Sequence, residues 1–297
     1  MVQIRPISCV ILNYNDANTT AKLVSHIRDY DIFHAIVVVD NMSTDDSLAT
    51  LSQMQSEKVR VISSGFNGGY GFGNNVGIRY IQQNFNDDCF VIANPDVVFS
   101  ETAVQQLVSF MRDHQDCGVV TGVQNGSRRT SVWKEVGIIG DQLFNNILLN
   151  AIFRPRYYAD DYLEKSVCSV YAVSGCFLLA NMKAFLEIGM YDEEFFLFEE
   201  EKCIADKLKQ SGWSSYLLTD VNFRHEHSVS ISKSLKKLGQ AKAAVLKSNR
   251  LYLKKYKHVS ACAMPLIYLY HGLCYLEQVF WDFVKPFDIE IGKGIVA

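Results

Sequence analysis

Two short apolar runs rich in β-branched residues, Ile7–Leu12 and Ala35–Val39, stop abruptly at polar or acidic positions. That is the pattern of strands buried on both faces of a parallel sheet. Between them, Leu23, Ile27 and Tyr30 recur at helical spacing within Asn18–Tyr30, with Asn18 or Thr19 available as N-cap. Asp46–Ser56 predicts a second helix, Val59–Ser63 a strand, Asn74–Gln83 a helix and Cys89–Ala93 another buried strand. Strand and helix alternating over about the first hundred residues predict a doubly wound α/β sheet. Ligands of such sheets bind beyond the carboxyl ends of the strands, and here those ends carry Asn, Asp or Gly.

Further along, Ser100–Gln115 reads as helix and is followed by the apolar segment Gly118–Val123. Asn125–Thr130 is turn-rich, and residues 141–166 show no clear period. Ser166–Ala180 is a strand candidate interrupted at Ser174-Gly175, and Glu199–Gln210 reads as a helix stopped by Gly212. Beyond His227 the chain reads as helices to about Phe283.

Composition narrows the class. The 297 residues are 48% apolar and 21% charged, which excludes disorder and low complexity. A net charge of −3 argues against a dedicated nucleic-acid binder, but the charge is unevenly spread. No Asp or Glu lies between His227 and Leu276, while residues 231–258 hold nine Lys or Arg, so the remainder sums to −12. The eight cysteines form no C-x-x-C pair, and several sit inside apolar runs; buried free thiols in a reducing compartment are expected. The first apolar run is too short for a signal-peptide core, so a cytoplasmic body is expected.

Four clusters at strand ends carry candidate chemistry. Asn13-Tyr14-Asn15 follows the first strand, and Asp40-Asn41-Met42-Ser43-Thr44-Asp45-Asp46-Ser47 the second. An acid at a strand end can accept a hydrogen bond from a base or ribose, although the same run can simply cap the next helix. Residues 67–77 hold five glycines before a helix, suited to backbone approach by a phosphate. Their order is neither a P-loop nor a G-x-G-x-x-G fingerprint. Asn94-Pro95-Asp96 places a carboxylate directly after the fourth strand, where it can hold a divalent cation bridging a diphosphate.

In this order, I-L-N-Y-N, V-D-N-M-S-T-D-D-S, N-G-G-Y-G-F-G-N-N-V-G-I, N-P-D-V, S-G-C-F-L-L-A and Y-D-E-E-F-F-L-F-E-E-E resemble inverting glycosyltransferases of family 2 with the GT-A fold. The resemblance is closest to the rhamnosyltransferase-like branch of bacterial surface-polysaccharide synthesis and runs from about Ile4 to Ser230. It implies a mixed α/β sheet flanked by helices and a GT-A catalytic domain over residues 1–230. Within that domain, 1–99 is the nucleotide half and 100–230 the acceptor and catalytic half, with 231–297 a helical extension. Tyr14 and Asp40 are then expected at the nucleotide base. Asn13, Asn67, Asn74, Asn75 and Asn94 would line the donor site, and Ser174-Gly175 would wall the donor sugar. Asp96 stands in the D-x-D-type element with Asn94 in place of its first acid, and His225 is the matching histidine for a divalent metal, Mg2+ or Mn2+. Glu201 is the expected base and Glu200 its support, although Glu in place of Asp keeps Glu200 open as the base. For Glu199, charge at a helix N-terminus is a sufficient reading.

The resemblance implies transfer of a sugar, rhamnose among the candidates, from a dTDP- or UDP-sugar to a glycan or lipid-linked acceptor. A catalytically inactive nucleotide-sugar-binding or scaffold protein is the alternative. A nucleotidyltransferase is disfavoured because Asn13-Tyr14-Asn15 lacks glycine and lysine. Lys247, Arg250, Lys254 and Lys257 share one helical face, and 259–276 carries no charge. Peripheral attachment through 231–283 to the inner face of the cell membrane is expected, with a homodimer helix and a membrane span as the alternatives.

Overall fold

The computed structural model describes residues 5–226 and 239–284. Its first half alternates as expected: β1 (Ile7–Asn13), α1 (Ala17–Ile27), β2 (Phe33–Asp40), α2 (Ser47–Ser52), β3 (Val59–Ser63), α3 (Tyr70–Asn84) and β4 (Cys89–Ala93). Then follow β5 (Val97–Val98), α4 (Glu101–Asp113), β6 (Cys117–Gln124), α5 (Arg128–Ser131), β7 (Val132–Trp133), α6 (Ile138–Asn145) and α7 (Ile147–Phe153). The remainder is β8 (Val167–Val170), β9 (Ala172–Val173), β10 (Phe177–Asn181), α8 (Met182–Glu187), α9 (Glu200–Gln210), β11 (Ser214–His225), α10 (Gln240–Lys255) and α11 (Met264–Val284).

The main sheet has the order β3-β2-β1-β4-β10-β6-β11-β5, with β8 pairing β11 outside that path. β1 to β4 run parallel, whereas β10 is antiparallel to both β4 and β6. Alternate residues of the strands enter opposite cores. Cys9, Ile11, Ile36 and Val38 pack with α1, α2 and α4, and Val10, Val37 and Val39 with α3, α8 and α9.

Several elements differ from the expectation. α3 begins at Tyr70 rather than Asn74, because glycines that look like loop are packing devices. A Cβ on Gly77 would lie 2.5 Å from a Val10 methyl, and one on Gly73 2.3 Å from Leu12. α1 is capped at Asp16 rather than Asn18 or Thr19, and Thr19 instead donates to the Asp16 carboxylate at 3.0 Å. The interrupted strand resolves into β8, β9 and β10, and the region without period into α6, α7 and a 3-10 turn at Asp161–Glu164. β11 escapes a period-two reading because its register against β6 breaks between Leu217 and Asn222. All eight cysteines are free thiols, with only Cys262 exposed.

The C-terminal helices are bound tightly to the body. Tyr252 of α10 is buried against Phe195 and Cys203, and its hydroxyl donates to Asp206 at 2.7 Å. Two of the four cations of the expected basic face are engaged internally. Lys257 pairs with Asp206 at 2.9 Å, and Arg250 lies over the Tyr268 ring and beside His271. The proposed boundary at 230/231 lies outside the described residues. Pro265 sits in the first turn of α11, where its missing N–H costs nothing. Among the described residues, no helix is long and apolar enough to cross a membrane.

One substitution has opposite expected signs at two helical glycines. Gly77→Ala must displace the β1 surface and should lower unfolding stability by about 1–3 kcal/mol. Gly272→Ala in α11 meets nothing within 4 Å and should raise stability by about 1 kcal/mol through helix propensity. Urea unfolding of the two variants checks both.

Candidate active site

The ends of β1, β2 and β4 and the start of β10 meet at one edge. Asn13 and Asp40 are register partners, and the Asn13 amide donates to the Asp40 carboxylate at 2.9 Å. Asp40 also accepts from Ser43 N–H at 3.0 Å, and Asn13 accepts from the Thr20 hydroxyl at 2.7 Å. Asn13 is therefore buried with both ends of its amide engaged. It builds the edge. Tyr14, next along the chain, is half-buried beside it.

The glycine-rich segment crosses this edge. Asn67 accepts from Asn41 at 3.0 Å and from Gly69 N–H at 3.1 Å, which shapes the turn into α3. Gly69 has φ 92°, and a Cβ there would lie 2.1 Å from the Phe196 carbonyl oxygen, so no other residue fits. Asn75 exchanges hydrogen bonds with the Tyr191 backbone at 3.0 Å and donates to Glu193 at 2.8 Å. These contacts pin the loop before α9. Asn74 donates to the Tyr70 carbonyl at 3.0 Å, and its buried Oδ1 has no partner among the described residues.

Three segments distant in sequence then converge. Asn94 N–H donates to the Cys176 carbonyl at 2.8 Å. The Tyr70 hydroxyl lies 3.1 Å from Asn94 Oδ1 and donates to the Gly175 carbonyl at 2.8 Å. On the other side, His225 Nε2 is 3.1 Å from Asp96 Oδ1, across 129 positions of sequence. Gln124 lies 3.3 Å from His225 Nδ1 and accepts from the Cys176 thiol at 3.5 Å. Burial opposes protonation of His225, but Asp96 and Cys176 outweigh it, and its pKa stands up at about 10. His227 lies outside the described residues.

His225 and Asp96 face each other directly across 3.1 Å, so a divalent cation would have to displace the proton they share. The freed imidazole nitrogen and carboxylate oxygen would then be two ligands, the others coming from substrate phosphate and water as in Mg2+-type sites. Among the described residues, no group of three or more His, Cys, Asp or Glu is placed to hold a metal ion by itself.

The third component is the first turn of α9. Phe198 and Glu199 both have positive φ, a sharp and costly entry to the helix. Gly175 is the wall: a Cβ on it would lie 2.9 Å from Glu201 Oε1, and its N–H donates to that carboxylate. Burial raises the pKa of Glu201, and burial reinforced by the Glu201 charge raises that of Glu200 well above the ordinary range. Glu200 Oε1 is buried without a partner among the described residues. Two adjacent carboxyls of this kind titrate as a coupled pair.

Glu199 is no mere helix-dipole charge. It pairs with Lys202 and accepts from Asn249 of α10 at 3.1 Å. Lys202 also donates to Asp141 of α6 at 2.8 Å, and Arg156 pairs with the same carboxylate. Burial opposes ionisation of Asp141, yet Lys202 and Arg156 hold it well below the usual carboxylate range. Sequence reasoning missed Asp141, Arg156, Lys202 and Asn249, and also Tyr70 and Gln124. Only Tyr70 lay within a segment already singled out.

The family model of glycosyl transferase family 2 matches residues 8–188. The chain belongs to glycosyl transferase family 2, and its mixed sheet flanked by helices has the GT-A fold of that class. It is 26% identical over 206 residues to N-acetylglucosaminyl-diphospho-decaprenol L-rhamnosyltransferase of Mycobacterium tuberculosis, covering 64% of this chain and 66% of that protein. It is also 26% identical over 195 residues to the low-salt glycan biosynthesis hexosyltransferase Agl10 of Haloferax volcanii, covering 66% of this chain and 59% of that protein. The matches therefore span just under two thirds of these relatives' lengths. In fold, the chain superposes on a mannosyltransferase of Pyrobaculum calidifontis in complex with GDP-Man and Mn2+. The TM-score is 0.60 at 13% identity, covering 92% of this chain and 70% of that one.

Removing one member of the buried ionic cluster should be far more damaging than removing a surface pair. Asp141→Asn leaves the Glu199 carboxylate to balance both Lys202 and Arg156 in the buried cluster and is expected to cost about 3–5 kcal/mol. Glu135→Gln breaks only the exposed pair with Lys209 and should cost less than about 1 kcal/mol. Chemical denaturation of both variants tests the contrast.

Proposed function

We propose that this chain is an inverting, metal-dependent glycosyltransferase. It moves a sugar, rhamnose among the candidates, from a dTDP- or UDP-sugar to a glycan or lipid-linked acceptor at the inner face of the cell membrane. The observation that carries the reading is the convergence of the Asp96–His225 pair and the Glu201 carboxylate on the Gly175-Cys176 turn. The Mycobacterium tuberculosis relative, whose name specifies a rhamnosyl transfer involving a diphospho-decaprenol, supports the acceptor class.

In this reading Tyr14 and the Asp40 turn receive the nucleotide base, and Asn67, Asn74 and Asn94 line the path of the donor. Asp96 and His225 hold a divalent cation, Mg2+ or Mn2+, which when bound supplies positive charge to stabilise the departing diphosphate. Glu201 takes the proton of the acceptor hydroxyl as that oxygen attacks the anomeric carbon, opposite the breaking bond to diphosphate. One displacement of this kind inverts the anomeric centre. Glu200 supports it from the same turn, its own pKa raised well above the ordinary range by burial and by the Glu201 charge.

The test is nucleotide release from a panel of UDP-, dTDP- and GDP-sugars, with an acceptor preparation, in Mn2+, Mg2+ or EDTA. Release from one donor, abolished by EDTA and reduced about 10²–10⁴-fold by Glu201→Gln, is expected. Metal-assisted donor binding without turnover would favour the inactive binding protein instead, and absence of any donor binding would overturn the reading. The pH profile carries a second expectation. Because ionised Glu201 is the active form and its pKa is raised, kcat/KM should fall with decreasing pH along a limb above the ordinary carboxylate range. A limb at or below pH ~4.5 would contradict it.

A further inference from the structure

α11 is amphipathic in the opposite sense to a helix that packs on its own protein. Its inward face holds His271, Cys274 and Gln278, all buried, with His271 lying 2.7 Å from Gln142. Its two acids are also consumed locally. Glu277 accepts from the backbone N–H groups of Ile147 and Leu148 at 3.0 and 3.1 Å, and Asp282 accepts from Gly239 N–H at 3.0 Å. The outward face carries Leu266, Leu269, Leu273, Leu276, Phe280 and Phe283, each between 58% and 79% exposed. A surface helix normally turns its apolar stripe to the core and its polar residues to water.

α7 shares the anomaly. Its seven residues, ILLNAIF, include no buried one, and Leu148, Ile152 and Phe153 are 59–62% exposed. Glu277 caps this helix from α11, so the two apolar surfaces are neighbours. A contiguous exposed surface of this character marks an interaction site.

We propose that α7 and α11 form one face that seats the protein on an anionic lipid leaflet, the apolar residues entering the headgroup–acyl boundary. Charge decides between lipid and a second copy of the chain. The segment from His227 to Leu276 is free of acids, and Arg154, exposed directly after Phe153, adds a cation beside the face. Two such faces brought together would oppose like charges, whereas an anionic surface complements them. Tyr268 and Trp281, both exposed on α11, suit the interface where aromatic rings with a polar edge collect. The seat is thus α7 with α11, and not the basic face of α10, where Lys257 and Arg250 have internal partners. The surface is argued from exposure and charge; only its use, delivery of a lipid-linked acceptor, rests on the glycosyltransferase reading.

Co-sedimentation of the full chain with vesicles of phosphatidylcholine, with and without phosphatidylglycerol, tests the proposal. The wild type should bind the anionic vesicles. Leu269→Glu/Leu273→Glu in α11 and Leu148→Glu/Ile152→Glu in α7 should each weaken binding at least tenfold, while Leu186→Glu on α8 leaves it unchanged. Donor binding by the same preparations reports folding and keeps this question apart from that of catalysis. Three results would overturn the proposal: a wild type that ignores both vesicles, face variants that bind as well as wild type, or a lipid-free dimer that the face variants dissolve. The last would assign the face to a second copy.

Discussion

The antiparallel strand β10, wedged between β4 and β6, is the constraint on which the site depends. Pairing Phe177 with Ala93 brings the turn before β10 against the carboxyl end of β4, where Cys176 O receives Asn94 N–H. A parallel strand in that position would start at the opposite edge of the sheet. From this turn the remaining contacts follow. Tyr70 bridges Asn94 and Gly175, the Cys176 thiol reaches Gln124 beside His225, and Glu201 lies on Gly175 because no side chain intervenes.

The first turn of α9 must hold two carboxyls out of water and next to each other, which is unfavourable by itself. The surrounding structure over-determines it. Glu199, left-handed and buried, is held by Lys202 and by Asn249 of α10, while Asp141 of α6 draws Lys202, Arg156 and Asn249 to one carboxylate. Such clusters stabilise less than their Coulomb attraction suggests but penalise any alternative arrangement heavily. The C-terminal helices are therefore part of the site's support. Through Gln142, which touches both Asn249 and His271, the support continues into α11.

The parallel half of the fold is legible because β1, β2 and β4 are largely apolar runs, which end where Asn13, Asp40 and Asn94 stand. The other half is not. Nothing in Phe177–Asn181 encodes its direction, and β11 hides its period in a register break. The glycines of α3 are visible in the sequence, but that Gly73 and Gly77 pack on β1 shows only in the fold. Asp96, His225 and Glu201 could be named from spacing within a familiar motif series, whereas Asp141, Lys202 and Asn249 carry no motif. They are ordinary polar residues in helical segments, and only their shared burial reveals them. The charge-free tail was noticed, but which of its residues face outward depends on the packing of α11, a tertiary fact.

The central claim is that Asp96 and His225 build the metal and diphosphate end of a donor site. Calorimetric titration of UDP and dTDP into the full chain, with and without Mn2+, tests it most directly. The account predicts metal-dependent binding of one nucleotide that Asp96→Ala and His225→Ala each abolish while the fold persists. Nucleotide binding indifferent to metal and to both substitutions would contradict it.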